Sequence, residues 1–314
     1  MLLHQISGGD EVTTAVVGEV RKNSSLVDKI HFFYEPGGTA KKRKDADVNA
    51  AGEFRSIGED FNKITGAPEY ADFALKIFGK TLKLDRAYEE RGGDIPSEFR
   101  RQLLAFGRVL GINLQTYFFT GNSATDAEQF SGLKKVISLM DATQTLTDLG
   151  DNGMQVVAGI DNTAKKSHQA FVEALNNLIA SVAGGASWLA MNGKVWGRLS
   201  TIARDNVSTT VDEFGRPVFF FNGVPIIHAG FKYDGTEILP LSETKGTSTD
   251  CTTIYAGRSE EAAFWSFMTT KNGLKVYPIV QNGNFYEQTV ELQLDSGSPF
   301  NKRALACLPG VRLG

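Results

Sequence analysis

Residues 76–118, KIFGKTLKLDRAYEERGGDIPSEFRRQLLAFGRVLGINLQTYF, carry an extended signal and a long helical signal, separated by Gly92 and Gly93. On the extended side, between Tyr70 and Tyr88, Phe73, Leu75 and Ile77 alternate with Asp72, Ala74 and Lys76, and Leu82 and Leu84 with Lys83 and Asp85. That period of two is the period of a half-buried strand. On the helical side Asp94 offers an N-cap. Ile95 and Pro96 take the first helical positions, whose amides have no intrahelical partner and so tolerate proline. Phe99, Leu103, Phe106, Leu110 and Tyr117 then recur at steps of three, four and seven, one apolar stripe broad enough to pack on a sheet. Arg100, Arg101 and Arg108 fall mostly off the stripe and leave a basic face, and Gly121 closes the helix.

N-terminal to this stretch, residues 11–22 mix small apolar and charged residues, a short helix with too little apolar surface to fold alone, and they read as an arm. Residues 29–34, KIHFFY, have strand composition and end at Pro36, Gly37 and Gly38. This strand and the one after Tyr70 are expected to pair as one long hairpin. The polar residues 39–66 between them form a projecting loop that a neighbouring molecule must cover. The loop holds Lys41, Lys42, Arg43 and Lys44, followed at once by Asp45 and Asp47. Three readings stand for this cluster: a solvated loop, a nucleic-acid contact, or a complement to charge on a neighbouring subunit. Interleaved aromatics for base stacking are missing, and mixed signs suit contacts that set orientation.

C-terminal to the long helix, Leu149 to Gly153 (LGDNG) is a loop signal that places a domain boundary near residue 148. Thr163 is expected to cap a helix with Phe171, Leu175, Leu178 and Val182 on one face, ended by Gly184 and Gly185. A strand over 187–191 and a helix from Asn192 to Ala203 follow. PVFFF (217–221) then meets VPIIH (224–228) across Asn222 and Gly223, the strongest short hairpin signal. Strands are expected at 253–256, 262–268, 274–279 and 289–294. No repeat or low-complexity tract is found.

Composition sets bounds on function. Across 314 residues the chain is 41% hydrophobic and 22% charged, enough for a real core in one large domain or two modest ones. A formal net charge of −3 leaves any attraction to DNA to local patches. Cys251 and Cys307 are isolated, which favours a reducing compartment. The first ten residues reach Gly8, Gly9 and Asp10 before a signal-peptide core forms, and no apolar run approaches the ~20 residues of a membrane span. The cytoplasm is the expected place of synthesis and use.

Catalytic motifs are missing. His4, His31, His168 and His228 show no ligand spacing, so no metal is expected. His228 ends an apolar strand and reads as a partly buried, hydrogen-bonded histidine. No phosphate loop or nucleophile elbow occurs, and Cys251 has no histidine near it in sequence. The adjacent acids Glu89 and Glu90, and Glu260 and Glu261, read as solvated faces. The expectation is a protein that is not an enzyme and holds no cofactor.

Taken in order, KIFGKTLKLDRAYEE before the long helix, FFTGNSATDAEQFSGLKKVIS after it, WLAMNGKVWGRLSTIARD, the hairpin PVFFFNGVPII and the ending PFNKRALACLPGVRLG resemble major capsid proteins of tailed bacteriophages. These have the Hong Kong ninety-seven-like capsid fold. The resemblance covers nearly the whole chain and implies an α+β subunit in five parts: an N-terminal arm (1–27), an extended two-stranded loop (28–88), a peripheral domain with a spine helix (89–147), an axial domain (148–250), and a return to the peripheral domain (251–314). It implies self-assembly through pentamers and hexamers into the icosahedral head of a virion, built in the host cytoplasm around double-stranded DNA. The arm would rearrange as the shell matures. Lys41, Lys42, Arg43, Lys44, Asp45 and Asp47 would lie at a subunit interface. Arg100, Arg101 and Arg108 would face DNA as nonspecific phosphate partners. Because the chain begins at the arm, a separate scaffolding protein is expected, with a portal protein as further partner. Some relatives join a loop lysine to an asparagine of another subunit; Lys41, Lys42 and Lys44 are suitably placed, but the partner asparagine has no match here. An encapsulin-like shell is the alternative, and a hydrolase using Cys251 or His228 a more distant one.

Overall fold

The computed structural model describes residues 2–7, 10–27, 29–34, 39–43, 54–61, 70–259, 266–296 and 301–313. In chain order, the first part comprises α1 (Leu3–Ile6), α2 (Glu11–Asn23), β1 (Phe32–Tyr34), β2 (Thr39–Arg43), β3 (Tyr70–Ala74), β4 (Lys76–Asp85), α3 (Ala87–Glu90), α4 (Ile95–Thr120) and α5 (Leu133–Val136). Then come β5 (Met154–Val156), α6 (Asn162–Ser181), β6 (Trp188–Met191), α7 (Gly193–Ile202), β7 (Val207–Val211), β8 (Pro217–Phe221) and β9 (Val224–His228). The chain ends with β10 (Glu243–Lys245), β11 (Ser248–Gly257), β12 (Phe267–Val276), β13 (Val280–Asn282), β14 (Phe285–Asp295) and β15 (Leu305–Leu313).

The long helix forms where its stripe predicts, two residues longer at its C-terminal end, with Phe99, Leu103, Leu110, Leu114, Phe118 and Phe119 buried. Asp94 occupies the cap position, but its side chain makes no capping bond. The helix of the arm forms as expected and starts at Asp10, whose carboxylate accepts from the Thr13 amide at 2.6 Å. It is not detached. Val16, Val17 and Val20 are buried, and the helix packs on α4 at Gly107 and Gly111, where the missing side chains let the two backbones touch.

Sheet topology corrects the N-terminal hairpin. KIHFFY does not pair with the chain after Tyr70: its β1 lies parallel to β12, with Phe32 opposite Phe267. The hairpin-like ribbon is instead β2 against β3, from Thr39 opposite Ala74 to Arg43 opposite Tyr70. The following strand, β4, runs antiparallel along β14, from Lys76 opposite Leu294 to Asp85 opposite Phe285. Its phase is also shifted. Phe78 packs against the core and Ile77, expected inward, is 69% exposed. The expected strands at 262–268 and 274–279 are one strand, β12, with an irregularity between Thr269 and Leu274; residues 262–265 lie outside the described residues. The cap of α6 is Asp161, not Thr163: its carboxylate accepts from Ala164 at 2.7 Å. The Asn222 and Gly223 hairpin stands as read, both residues at positive φ (48° and 80°).

Among the described residues the strands make three sheets: β1-β12-β14-β13 with β4 also on β14; β5-β15-β11-β6-β9-β8-β7 with β10 on β11; and the separate pair β2-β3. The large sheet is a wall between two apolar cores. From its strands Trp188, Ala190, Ile227, Tyr255, Leu305 and Cys307 point to the core built around α2, α4, β12 and β14. Their neighbours Leu189, Met191, Ile226, Ile254, Ala256, Ala306 and Leu308 point to the core under α6 and α7. The two-residue period of a strand alone sends successive side chains to opposite cores.

Candidate functional site

Two features stand out among the described residues, the β2-β3 ribbon and the segment 54–61. The ribbon pairs with no other strand among the described residues. Lys41, Lys42 and Arg43 lie on its β2 strand; Lys44, Asp45 and Asp47 lie outside the described residues. Residues 54–61, between the ribbon strands in sequence, leave Phe54 106%, Ile57 105% and Phe61 56% exposed. The contacts of this segment are local. The Arg55 guanidinium lies 5.3 Å over the Phe61 ring and donates to the Glu59 carbonyl at 3.0 Å. Three large apolar side chains within eight residues, uncovered by their own chain, are an exposed patch of the kind that marks a contact surface. The sequence carried this signal as Phe54, Ile57 and Phe61 themselves; attention to the loop's charges passed over them.

The basic face of α4 is present and already engaged. Arg100 pairs with Glu11 at 2.9 Å, Arg101 with Glu98 at 2.6 Å and Arg108 with Glu19 at 2.8 Å. The bond from Arg101, helped by Gln102, takes the Glu98 carboxyl down to about 2. Lys22 and then Arg108 likewise hold Glu19 below the ordinary carboxylate value. Two of the three ion pairs tie α2 to α4, and all three arginine side chains stay more than half exposed.

The two residues singled out for catalysis do not converge. His228 ends β9, its ring stacked on Phe219 (5.5 Å, 21°) and near Trp196 (5.8 Å). Its Nε2 is buried without a hydrogen-bond partner, and burial pushes the imidazole below its usual value. The carbonyl of His228 accepts from Gln115 at 3.0 Å, which ties the strand end to α4. Cys251 is buried on β11, with β6 lying between β11 and β9, and burial raises its thiol. The cleft beside His228 is lined by Ser25, Lys29, Arg216, Pro217 and Phe219, and Cys251 is not among its walls. Among the described residues no group of three or more His, Cys, Asp or Glu is placed to hold a metal ion, and no helix is long and apolar enough to cross a membrane.

Two helical layers flanking a two-faced mixed sheet define an α+β protein. No protein-family model and no curated protein sequence matches this chain. Solved structures do. Over 93% of its length the chain is similar to the holo-SrpI encapsulin complex of Synechococcus elongatus PCC 7942, at 15% identity and a TM-score of 0.62, covering 89% of that chain. It is similar over 94% of its length to the capsid of the native GTA particle (13% identity, TM-score 0.52, 90% of that chain). Microbacterium phage Oxtober96 gives 93% coverage at 14% identity (TM-score 0.51, 91% of that chain). The chain has the Hong Kong ninety-seven-like capsid fold that phage capsids and encapsulins share.

Proposed function

We propose that this chain is a shell subunit without catalytic activity, and that it is the major capsid protein of a tailed phage, closing into an icosahedral head around double-stranded DNA. The observation that carries the proposal is a capsid fold bearing a ribbon that pairs with no other strand among the described residues, and the exposed side chains of Phe54, Ile57 and Phe61. Placed on the next copy, that surface is a heterologous contact. Such contacts close into rings when the rotation closes, and many weak ones add up to a firm shell. Lys41, Lys42, Arg43, Lys44, Asp45 and Asp47 serve there to set the orientation of neighbours. In this reading the core around α4 and β14 is the peripheral domain and the core under α6 and α7 the axial domain, meeting at the shared sheet. A separate scaffolding protein and a portal complete the assembly in the host cytoplasm. Arg100, Arg101 and Arg108 meet DNA as nonspecific phosphate partners through their exposed guanidiniums.

A second reading is an encapsulin-like compartment, favoured by the TM-score of 0.62 against 0.52 and 0.51 for the other two structures named. Content decides between them. Particles from the native source are treated with nuclease and then opened. Protected double-stranded DNA is the expected result; enclosed enzyme without DNA would replace the phage head by the compartment.

A further inference from the structure

The end of α2 is fastened to the turn between β7 and β8, although α2 packs in one core and the hairpin belongs to the sheet over the other. The turn is built by Asp212, whose carboxylate accepts from the amides of Phe214 (2.9 Å) and Arg216 (2.8 Å) and from Arg216 Nε (2.8 Å). Two guanidiniums lie over the Phe214 ring, Arg21 at 5.0 Å and Arg216 at 5.2 Å from its centroid. Arg21 also pairs with Glu213, and Arg216 donates to the carbonyls of Lys22 and Arg21. Those carbonyls belong to the last turn of α2, where helix oxygens lack intrahelical donors, so a residue far along the chain completes the helix end.

Core packing holds the strands of the hairpin, with Phe221 buried and Phe219 against Trp196. Beside the turn lies an open cleft of about 170 Å³ lined by Ser25, Lys29, Arg216, Pro217, Phe219 and His228. Next to that space, Arg21, Phe214 and Arg216 join the turn to α2. We propose that this Arg-Phe-Arg brace fixes the angle between the arm helix and the axial hairpin, and through it the curvature at which copies of the chain join. The curvature step rests on the shell reading above; the brace itself does not.

Two measurements on the full-length chain separate these parts. Hydrogen exchange of residues 207–221 and of the last turn of α2 is compared for the natural chain, Phe214→Ala and Arg216→Lys, with α4 amides as the internal control for folding. Exchange at least tenfold faster at the brace, with α4 unchanged, is expected; unchanged exchange at the brace overturns it. Arg216→Lys keeps the charge and loses the fork and the stacking, so it remains informative if Phe214→Ala fails to fold. Particle diameters are then measured in electron micrographs. The brace variants should give a diameter distribution at least twice as broad as the natural chain or shifted from it. Natural diameters from a loosened brace would overturn the curvature step. Absence of particles from the natural chain would instead refute the shell reading and leave the exchange result to judge the brace.

Discussion

A methyl group at Gly111 would stand 2.7 Å from the carbonyl oxygen of Val20 and 3.1 Å from Cβ of Asn23, and a backbone atom cannot rotate aside. Gly111→Val should therefore push α2 off α4 and lower stability by about 1–3 kcal/mol in denaturant unfolding. Gly18, on α2 with nothing within 4 Å of an added Cβ, is the contrast. Gly18→Ala should stabilise by about 0.5–1 kcal/mol, because alanine has less freedom to lose in a helix. His228 sets a pH dependence. Burial lowers its imidazole from 6.5, so the unfolded chain takes up the proton first as pH falls. Its share of stability is thus present above 6.5 and drains away below that value. Thermal melts should show the natural chain losing stability on acidification through this range and His228→Phe losing less; identical slopes would refute the assignment. Single residues were unevenly legible in the sequence. Asn192 accepts from Lys194 at 2.7 Å and caps its helix as read, because the signal is local and alone. At 161–163 three adjacent cap-formers, Asp161, Asn162 and Thr163, compete, and propensity does not choose among them.

Elements were readable where a local pattern marks them, and the distant partners of the strands were not. The β8-β9 hairpin needs only Asn222 and Gly223, and it was legible. The partner of KIHFFY lies beyond residue 266 and parallel to it, which no local pattern specifies. β15 was hidden for a different reason: LACLPGV has no alternation, because both faces of the strand are buried, and Pro309 with Gly310 imitates a break. In the structure Pro309 stays in register opposite Thr253 where the ladder shifts, and Gly310 takes φ +93°. A Cβ on Gly310 would lie 2.8 Å from Cα of Gly153, just before β15 and β5 pair in parallel. Gly310→Ala should cost about 1–2 kcal/mol or more, seen as a lower melting temperature. A melt equal to that of the natural chain would show that this close approach is not under constraint.

At the scale of the molecule, the order of segments carried the fold where no single motif did. Strand, spine helix, turn, mixed domain and returning strands were each approximate, and their sequence along the chain was specific. A loop after residue 148 was readable, but the wall between the cores was not, since it is assembled from β6, β9, β11 and β15, strands spread over more than a hundred residues. Within the loop, polarity was the legible feature, and the exposed apolar side chains of Phe54, Ile57 and Phe61 were missed. Replacing Phe54, Ile57 and Phe61 together by serine should leave the subunit's melting temperature nearly unchanged, since Phe54 and Ile57 are fully exposed and Phe61 is more than half exposed against Arg55. The same change should abolish or sharply weaken assembly in light scattering. Unimpaired assembly would remove these residues from the interface.

The most direct test of the shell reading is an electron micrograph of the purified natural chain at high concentration. The account predicts closed particles or rings of five and six subunits. A monodisperse monomer, with Phe54, Ile57 and Phe61 folded against its own body, would contradict it.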